Sequence, residues 1–592
     1  MTPRLFGAVL AFFLLLSSAD ALPQAAGSSG QAPAGSQTTT KHGITVQFAK
    51  PDAQAPAAPQ NIAPAGESAT LAEADHLFIS GKTAEAQAKY QAVANLDPAS
   101  VPAQVGLMRT LIAQQKLDEA QSAADTALAL HPESPQLLLT LGDLQFAQGK
   151  MADAERSFVK AQNLAPNDAA PYLALARVYR AYSLFRRAYD NLKRAHEVAP
   201  NDPAVQLLWF NSLPHQYRIA ALQAYLATPT LTPQLSKTLE QYLAFVKRNA
   251  DAPVHPCKLV SNVEETETKL HAIARSGSEL GATGLTVKIN NQELHLALDT
   301  GASGVLLGRA TAEKLALPRL GYQSIIGMGE SGQQGGFTAV ANRIRVGDLE
   351  FSDCTVRVTD AATPVTGQDG LIGSDVFGAY LINIDIPGAK LRLSPLPKRP
   401  DEAAHPAALK TMSPDAQELE AEDEGATAAK APSADMFSLP KDAYVAPEMA
   451  NWSKVYRFRH LLLVPTRVDK TGPTLFLIDT GSFSNALSTR AAQQLTQLRS
   501  DPGTRVSGLS GSVGQVYRAD KATLQFGRYE QENQDVVTFD LSSISRQTGT
   551  QVSGILGFNM LRILQLKIDY RDGLVDFIYD PNHLPKQIKL NK

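Results

Sequence analysis

Between residues 67 and 205 the apolar positions follow a helical period, and the whole pattern recurs at one fixed longer interval. Pro98, Pro132, Pro166 and Pro200 mark the repeat, and Ala86, Ala120, Ala154 and Ala188 precede them by the same distance each time. Ala127, Ala161 and Ala195 stand at a second constant distance before the last three prolines. Leu107, Leu141 and Leu175 keep the register, and Tyr90, Phe158 and Leu192 share a slot for a large apolar side chain. The pattern predicts two helices per repeat, with small residues where helices cross and a large one filling the groove. Proline then ends the second helix. Met108 stands where a small residue is expected. A further stripe of Leu235, Leu239, Tyr242 and Val246 predicts a connecting helix over 234–247.

This register resembles the tetratricopeptide repeat over about four motifs. The resemblance implies an α-helical solenoid with a concave face suited to a protein partner.

From about residue 256 the period shortens to that of strands. Leu285–Ile289, a turn at Asn290-Asn291 and Glu293–Leu298 predict a hairpin that runs into Asp299-Thr300-Gly301-Ala302-Ser303. Later, Leu461–Val468, a turn through Lys470-Thr471-Gly472 and Thr474–Ile478 run into Asp479-Thr480-Gly481-Ser482-Phe483. Each tripeptide is followed by a helix-like stretch, Ala310–Leu317 and Thr489–Leu498. Next come Asp369-Gly-Leu-Ile372-Gly373 and Ser553-Gly-Ile-Leu556-Gly557. Each half closes with a strand ending in aspartate, a glycine turn and a last strand. The interval from Asp299 to Gly373 is nearly that from Asp479 to Gly557. An all-β unit of about 130 to 140 residues is duplicated, a size suited to one domain.

The two halves resemble the aspartic peptidase superfamily, nearer its compact retroviral type, in two blocks that together span most of the chain beyond residue 256. The expected fold class is multidomain: an all-α tetratricopeptide-like solenoid, then two all-β retropepsin-like barrel lobes related by a pseudo-twofold. The resemblance implies a catalytic dyad of Asp299 and Asp479. Two carboxylates close together cannot both ionise and share a proton, which is how the aspartic peptidases in general work. It further implies that Thr300 and Thr480 lock the two loops together. Gly301 and Gly481 allow the close turn, and Ile372-Gly373 and Leu556-Gly557 support the loops from behind. Phe483 departs from the small hydroxyl residue common at its position. Glycine-rich stretches, Ile325–Phe337 with Gly327, Gly329 and Gly332, and Val506–Tyr517 with Gly508 and Gly511, correspond to flaps over a substrate backbone. Gly327, Gly329 and Gly332 also fit a dinucleotide fingerprint. Phe337–Val346 reads as a strand, however, so the helix N-terminus a phosphate needs is missing.

Composition narrows the rest. The 592-residue chain is 44% hydrophobic and 19% charged, as globular proteins are. A net charge of −3 from 55 basic and 58 acidic residues gives no footprint for nucleic acid. Arg4, the uncharged run Leu5–Leu16 and Ala19-Asp20-Ala21 predict a cleaved secretory leader (signal peptide) over 1–21, too short to span a membrane. An exported protein, periplasmic or secreted and without a stable membrane span, is expected. Residues 22–66 and 397–449 have the composition of disordered tethers. They leave repeats at 67–205, a helical connector at 206–255 and lobes at 256–396 and 450–585. Cys257 and Cys354 allow one disulfide or two unrelated buried thiols. The basic-aromatic stretch Tyr456–His460 reads as a strand edge.

Neither metal nor cofactor is implied. The expected activity is endopeptidase cleavage of protein or peptide substrates, with the repeats recruiting substrate or partner. The rival is a repeat-based scaffold whose lobes are inert.

Overall fold

Helices and strands fall where the two periods place them. The computed structural model describes residues 65–213, 215–228, 231, 233–250, 255–276, 279–325, 334–360, 368–400, 443–508 and 511–582. The expected leader and residues 22–64 lie outside these, as do Gly327, Gly329 and Gly332. The chain divides into a helical unit and a β unit.

In the helical unit the pairs are Ala65–Ile79 with Thr83–Leu96, Val101–Ala113 with Leu117–Leu130, Pro135–Ala147 with Met151–Leu164, and Ala170–Ala181 with Phe185–Val198. Each second helix stops just short of its proline, because proline cannot continue the hydrogen-bond ladder. Ala86, Ala120, Ala154, Ala127, Ala161 and Ala195 are fully buried, which confirms them as the contact positions between helices. Further helices follow at Pro203–Asn211, His215–Leu226 and Pro233–Ala250, the last enclosing the expected connector.

The departure at Met108 is compensated. In the next repeat Phe158 packs on Gly142, where an added Cβ would lie 2.4 Å from the ring. One period earlier the same two slots hold Ala124 and Met108, both buried in one core cluster. Large-on-small has become small-on-large, a volume-conserving exchange that cores tolerate.

In the β unit the first hairpin pairs Glu279–Ile289 with Gln292–Asp299 in antiparallel register, Ile289 opposite Gln292. Asn290 and Asn291 both take positive φ, as a two-residue turn requires. The second half repeats the hairpin with Leu461–Val468 and Thr474–Asp479. The helix expected from Thr489 to Leu498 ends at Gln493, and Leu498–Ser500 instead pairs as a strand with Tyr517–Ala519. Its only buried residues are Ala491 and Ala492, too short an apolar face to hold a longer helix.

The two β lobes share a sheet. Tyr380–Asp385 of the first pairs antiparallel with Gln565–Asp569 of the second, Ile382 opposite Ile568 and Ile384 opposite Leu566. All four of these isoleucine and leucine side chains are fully buried. The expected tether 397–449 is narrower than its composition suggests. Arg399 forms a buried ion pair with Asp572, and Arg571 donates to the Pro397 carbonyl at 2.8 Å. The Tyr444 amide donates to Asp572 at 2.8 Å, and Met449 is 2% exposed. Both ends of the segment are therefore built into the fold. Cys257 and Cys354 form a disulfide across the edge pairing of Pro256–Leu259 with the strand Leu349–Thr359, so the alternative of two unrelated thiols does not hold.

Candidate active site

Both Asp-Thr-Gly turns sit at the ends of central strands, and the backbone places them face to face. Gln292–Asp299 runs parallel to Gly370–Gly373, with Leu298 beside Ile372 and Asp299 beside Gly373. Thr474–Asp479 runs parallel to Val552–Gly557, with Ile478 beside Leu556 and Asp479 beside Gly557. Ile372 and Leu556 are fully buried behind the turns. The two glycines are required by contact. A Cβ on Gly373 would lie 2.5 Å from the Ala302 carbonyl oxygen, and one on Gly557 2.3 Å from that of Ser484.

The lobes are tied by reciprocal bonds. The Thr300 amide donates to Thr480 Oγ1 at 3.0 Å, while Thr480 Oγ1 donates to the Leu298 carbonyl at 3.0 Å. In mirror fashion the Thr480 amide donates to Thr300 Oγ1 at 3.0 Å, and Thr300 Oγ1 donates to the Ile478 carbonyl at 2.8 Å. Both threonines are buried, so every partner lost would leave an unpaired group.

The carboxylates meet across this knot. A Cβ on Gly481 would lie 2.5 Å from Cγ of Asp299, and one on Gly301 2.8 Å from Cγ of Asp479. Each glycine thus leaves room for the opposite lobe's acid. The Gly301 amide donates to Asp299 at 2.8 Å, and the Gly481 and Ser482 amides donate to Asp479 at 2.9 and 3.0 Å. Burial raises Asp299 well above the usual carboxylate range, and the charge of Asp479 raises it further. Burial also raises Asp479, but its hydrogen bond from Asp299 and the two amides pull it back. The two carboxyls therefore titrate as one pair that shares a proton.

The lobes differ around this core. In the first, Ser303 Oγ donates to Asp375 and the Gly304 amide to its other oxygen, each at 2.8 Å, and the Gly373 amide donates to the Gly304 carbonyl at 2.8 Å. In the second, Phe483 replaces the serine and the Gly557 amide turns to Asn485 Oδ1 at 2.9 Å. The Phe558 and Asn559 amides bond the Ser482 and Phe483 carbonyls at 2.6 and 2.8 Å. Asp375 and Asn485 carry no motif, and their part emerges only in the fold.

His460, from the stretch read as a strand edge, lies against the Gly301 backbone. The strand Tyr456–Phe458 pairs with Leu461–Leu463, as an edge would. Burial pushes the His460 imidazole down to about 4, helped by Arg357 and Arg459 nearby. Tyr570 bridges Ser374 Oγ at 2.7 Å and the His460 carbonyl at 3.3 Å, connecting the two lobes behind the dyad.

The two glycine-rich stretches both build on hairpins. Arg319–Ile325 pairs with Gln334–Val346, and its tip lies outside the described residues. Gly508 and Gly511 pair directly in a short hairpin, Ser507 opposite Ser512. The strand after the first stretch leaves no helix for a phosphate.

With this geometry in view, the family comparisons agree. Residues 285–376 and 464–560 match the family model of the aspartyl protease, and residues 77–138 and 111–178 match that of the tetratricopeptide repeat. No curated protein matches the chain. The chain carries tetratricopeptide repeats followed by an aspartyl protease domain made of two β lobes. Among the described residues no helix is long and apolar enough to cross a membrane.

Proposed function

We propose that the protein is an aspartic endopeptidase whose dyad is Asp299 and Asp479 of one chain. The observation that carries this reading is the mutual fit of each Asp-Thr-Gly glycine to the other lobe's carboxylate. The ionised member of the pair takes a proton from water as the water oxygen attacks the peptide carbonyl. The protonated member gives its proton to the carbonyl oxygen. The tetrahedral diol then collapses, breaking the carbon–nitrogen bond as the amine leaves with a proton returned through the dyad. Thr300 and Thr480 hold the two acids in register. The helical repeats recruit a protein substrate or partner. Export to an oxidising compartment is part of the reading, supported by the leader-like N-terminus and by the Cys257–Cys354 bridge.

The test is peptide-library digestion by the full chain beside Asp299→Asn and Asp479→Asn variants. Both variants should lose cleavage, singly and when mixed, because neither chain then holds an intact dyad. Cleavage restored only on mixing would mean lobes exchanged between chains. A wild type inert toward every peptide would favour a binding role.

A further inference from the structure

We infer that the second lobe carries a subsite for a carboxamide side chain, asparagine or glutamine, beside the dyad. This inference rests on the peptidase reading for the identity of the ligand as a peptide. A cavity of about 600 Å³ opens along the Gly481–Asn485 loop and is also lined by Ile273 and Ala282 of the first lobe. Its volume suits one or two side chains of a bound peptide. Gly481 and Ser482, which follow Asp479 in its turn, line the cavity, so it opens beside the loop that carries the acid.

The chemistry of its wall follows from one backbone group. The Gly557 amide can only donate, so Asn485 must turn its oxygen to it, at 2.9 Å. The Asn485 Nδ2 group then faces Gln531 and Asn533, donating to Oε1 at 3.0 Å and to Oδ1 at 2.9 Å. Asn533 Nδ2 in turn donates to the Gln531 carbonyl at 3.1 Å. With its oxygen committed inward, Gln531 presents its Nε2 group, which among the described residues donates to no protein atom. Asn485 is 8% exposed while Gln531 and Asn533 are half-buried, so the triad is anchored below and open above. Two free N–H donors beside carboxamide oxygens with spare lone pairs match the acceptor and donors of a primary amide.

Three charged residues, Arg505, Arg518 and Asp535, also line the cavity. Arg518 spends its guanidinium on Asp501 at 2.7 Å, Thr504 at 2.9 Å and the Asp535 carbonyl at 2.9 Å. Arg505 and Asp535 are exposed, where an ion pair contributes little. The triad is also peculiar to one lobe. Laying Asp299 on Asp479 without gaps also lays the positive-φ turn at Gly347 on that at Gly527. In that alignment Asn485 and Gln531 replace Val305 and Phe351, which are buried core residues of the first lobe. Where the first lobe has two buried apolar residues, the second has hydrogen-bonded amides that line a cavity.

The test uses octapeptides with an uncleavable reduced-amide bond at the centre and an alanine background. Each position in turn carries Asn, Gln, Leu, Asp or Lys, and binding to the full chain is measured by calorimetry. At one position Asn or Gln should bind about tenfold tighter than Leu, and Gln531→Leu should abolish that preference. Gln531→Glu, which keeps the acceptor but loses the donors, should do the same and guards against a fold defect in the first variant. Leu, Asp or Lys preferred at every position, or a carboxamide preference untouched by both variants, would overturn the subsite. Matching peptides with an ordinary amide bond separate the two readings. Selective binding without cleavage keeps the subsite and removes the peptidase. Cleavage with no carboxamide position removes the subsite and keeps the peptidase, and absence of any binding removes both.

Discussion

Thr300 and Thr480 each accept the other's backbone amide and each donate to a carbonyl at the strand end of the opposite lobe. Replacing Thr300 with Val leaves the Thr480 amide and the Ile478 carbonyl buried and unpaired, at about 1–3 kcal/mol per group. Thr300→Val should therefore lower stability by about 2–6 kcal/mol in denaturant titration, while Thr300→Ser stays within about 1 kcal/mol of wild type. Equal effects of Val and Ser would mean that packing of the methyl group, not the hydroxyl, holds the lobes.

The pH dependence of stability has a definite sign. An acid raised in the folded state holds its proton more tightly folded than unfolded. Its contribution is complete below the ordinary carboxylate value of about 4 and is lost as the pH climbs through the folded value. Asp299 and Asp479 both act this way. Asp569, pushed up to about 7 by burial and then by the charge of Asp572, adds to them. Asp569→Asn keeps the acceptor for the Asp572 amide, 3.0 Å away, and removes the titration. Its thermal midpoint should gain on wild type between about pH 4 and pH 8. A difference that is flat across that window would show that Asp569 is ionised in the folded protein throughout.

Activity should titrate with the dyad. One carboxyl of the pair must be ionised and the other protonated, so kcat/KM should trace a bell. Its alkaline limb should lie above the ordinary carboxylate range, because burial and the partner's charge hold the remaining proton. Asp569→Asn should leave this profile unmoved, which separates the catalytic pair from the structural acid. A single-limbed profile would contradict a shared proton.

The Cys257–Cys354 bridge closes a loop of sequence separation 97. Removing it as the double serine variant should cost about 2–4 kcal/mol of stability, measured against the oxidised wild type. Wild type kept fully reduced should fall to the variant's level. Identical stability of all three forms would show that the pairing of Pro256–Leu259 with its neighbour strand suffices.

In the repeats, Gly142→Val places branched carbon where Phe158 already sits. The helical unit should lose about 1–3 kcal/mol by circular dichroism melting, while cleavage of short peptides stays at the wild-type rate. Slower cleavage of a protein substrate alone would fit a recruiting role. A parallel loss on short peptides would make the repeats part of the catalytic unit.

Periodicity along the chain made the larger architecture readable. The four prolines and their alanines recur at one fixed interval, and a tripeptide at a strand end carries its own chemistry in neighbouring positions. Asn485 and Gln531 stand far apart along the chain, His460 stands farther still from Gly301, and no local pattern joins either pair. Such pairings depend on the tertiary fold, as does the choice of Asn485 over a backbone carbonyl for the Gly557 amide. The helix after Thr489 is shorter than its sequence predicts for a related reason. Its polar residues suit a helix, but pairing with the strand Val516–Phe526 recruits Leu498–Ser500 into extended backbone.

The shared sheet between Tyr380–Asp385 and Gln565–Asp569 has a kinetic consequence. Two such lobes on separate chains would find each other at their bulk concentration, and dilution would disassemble the site. Joined on one chain they meet at an effective concentration set by the chain itself, whatever the copy number of the protein. Specific activity then becomes independent of how dilute the protein is. Each lobe is also released from fitting an identical copy of itself. A change such as Asn485 for the valine of its sister position can accumulate on one side alone, and a symmetric ancestor's cleft can grade into two unlike halves.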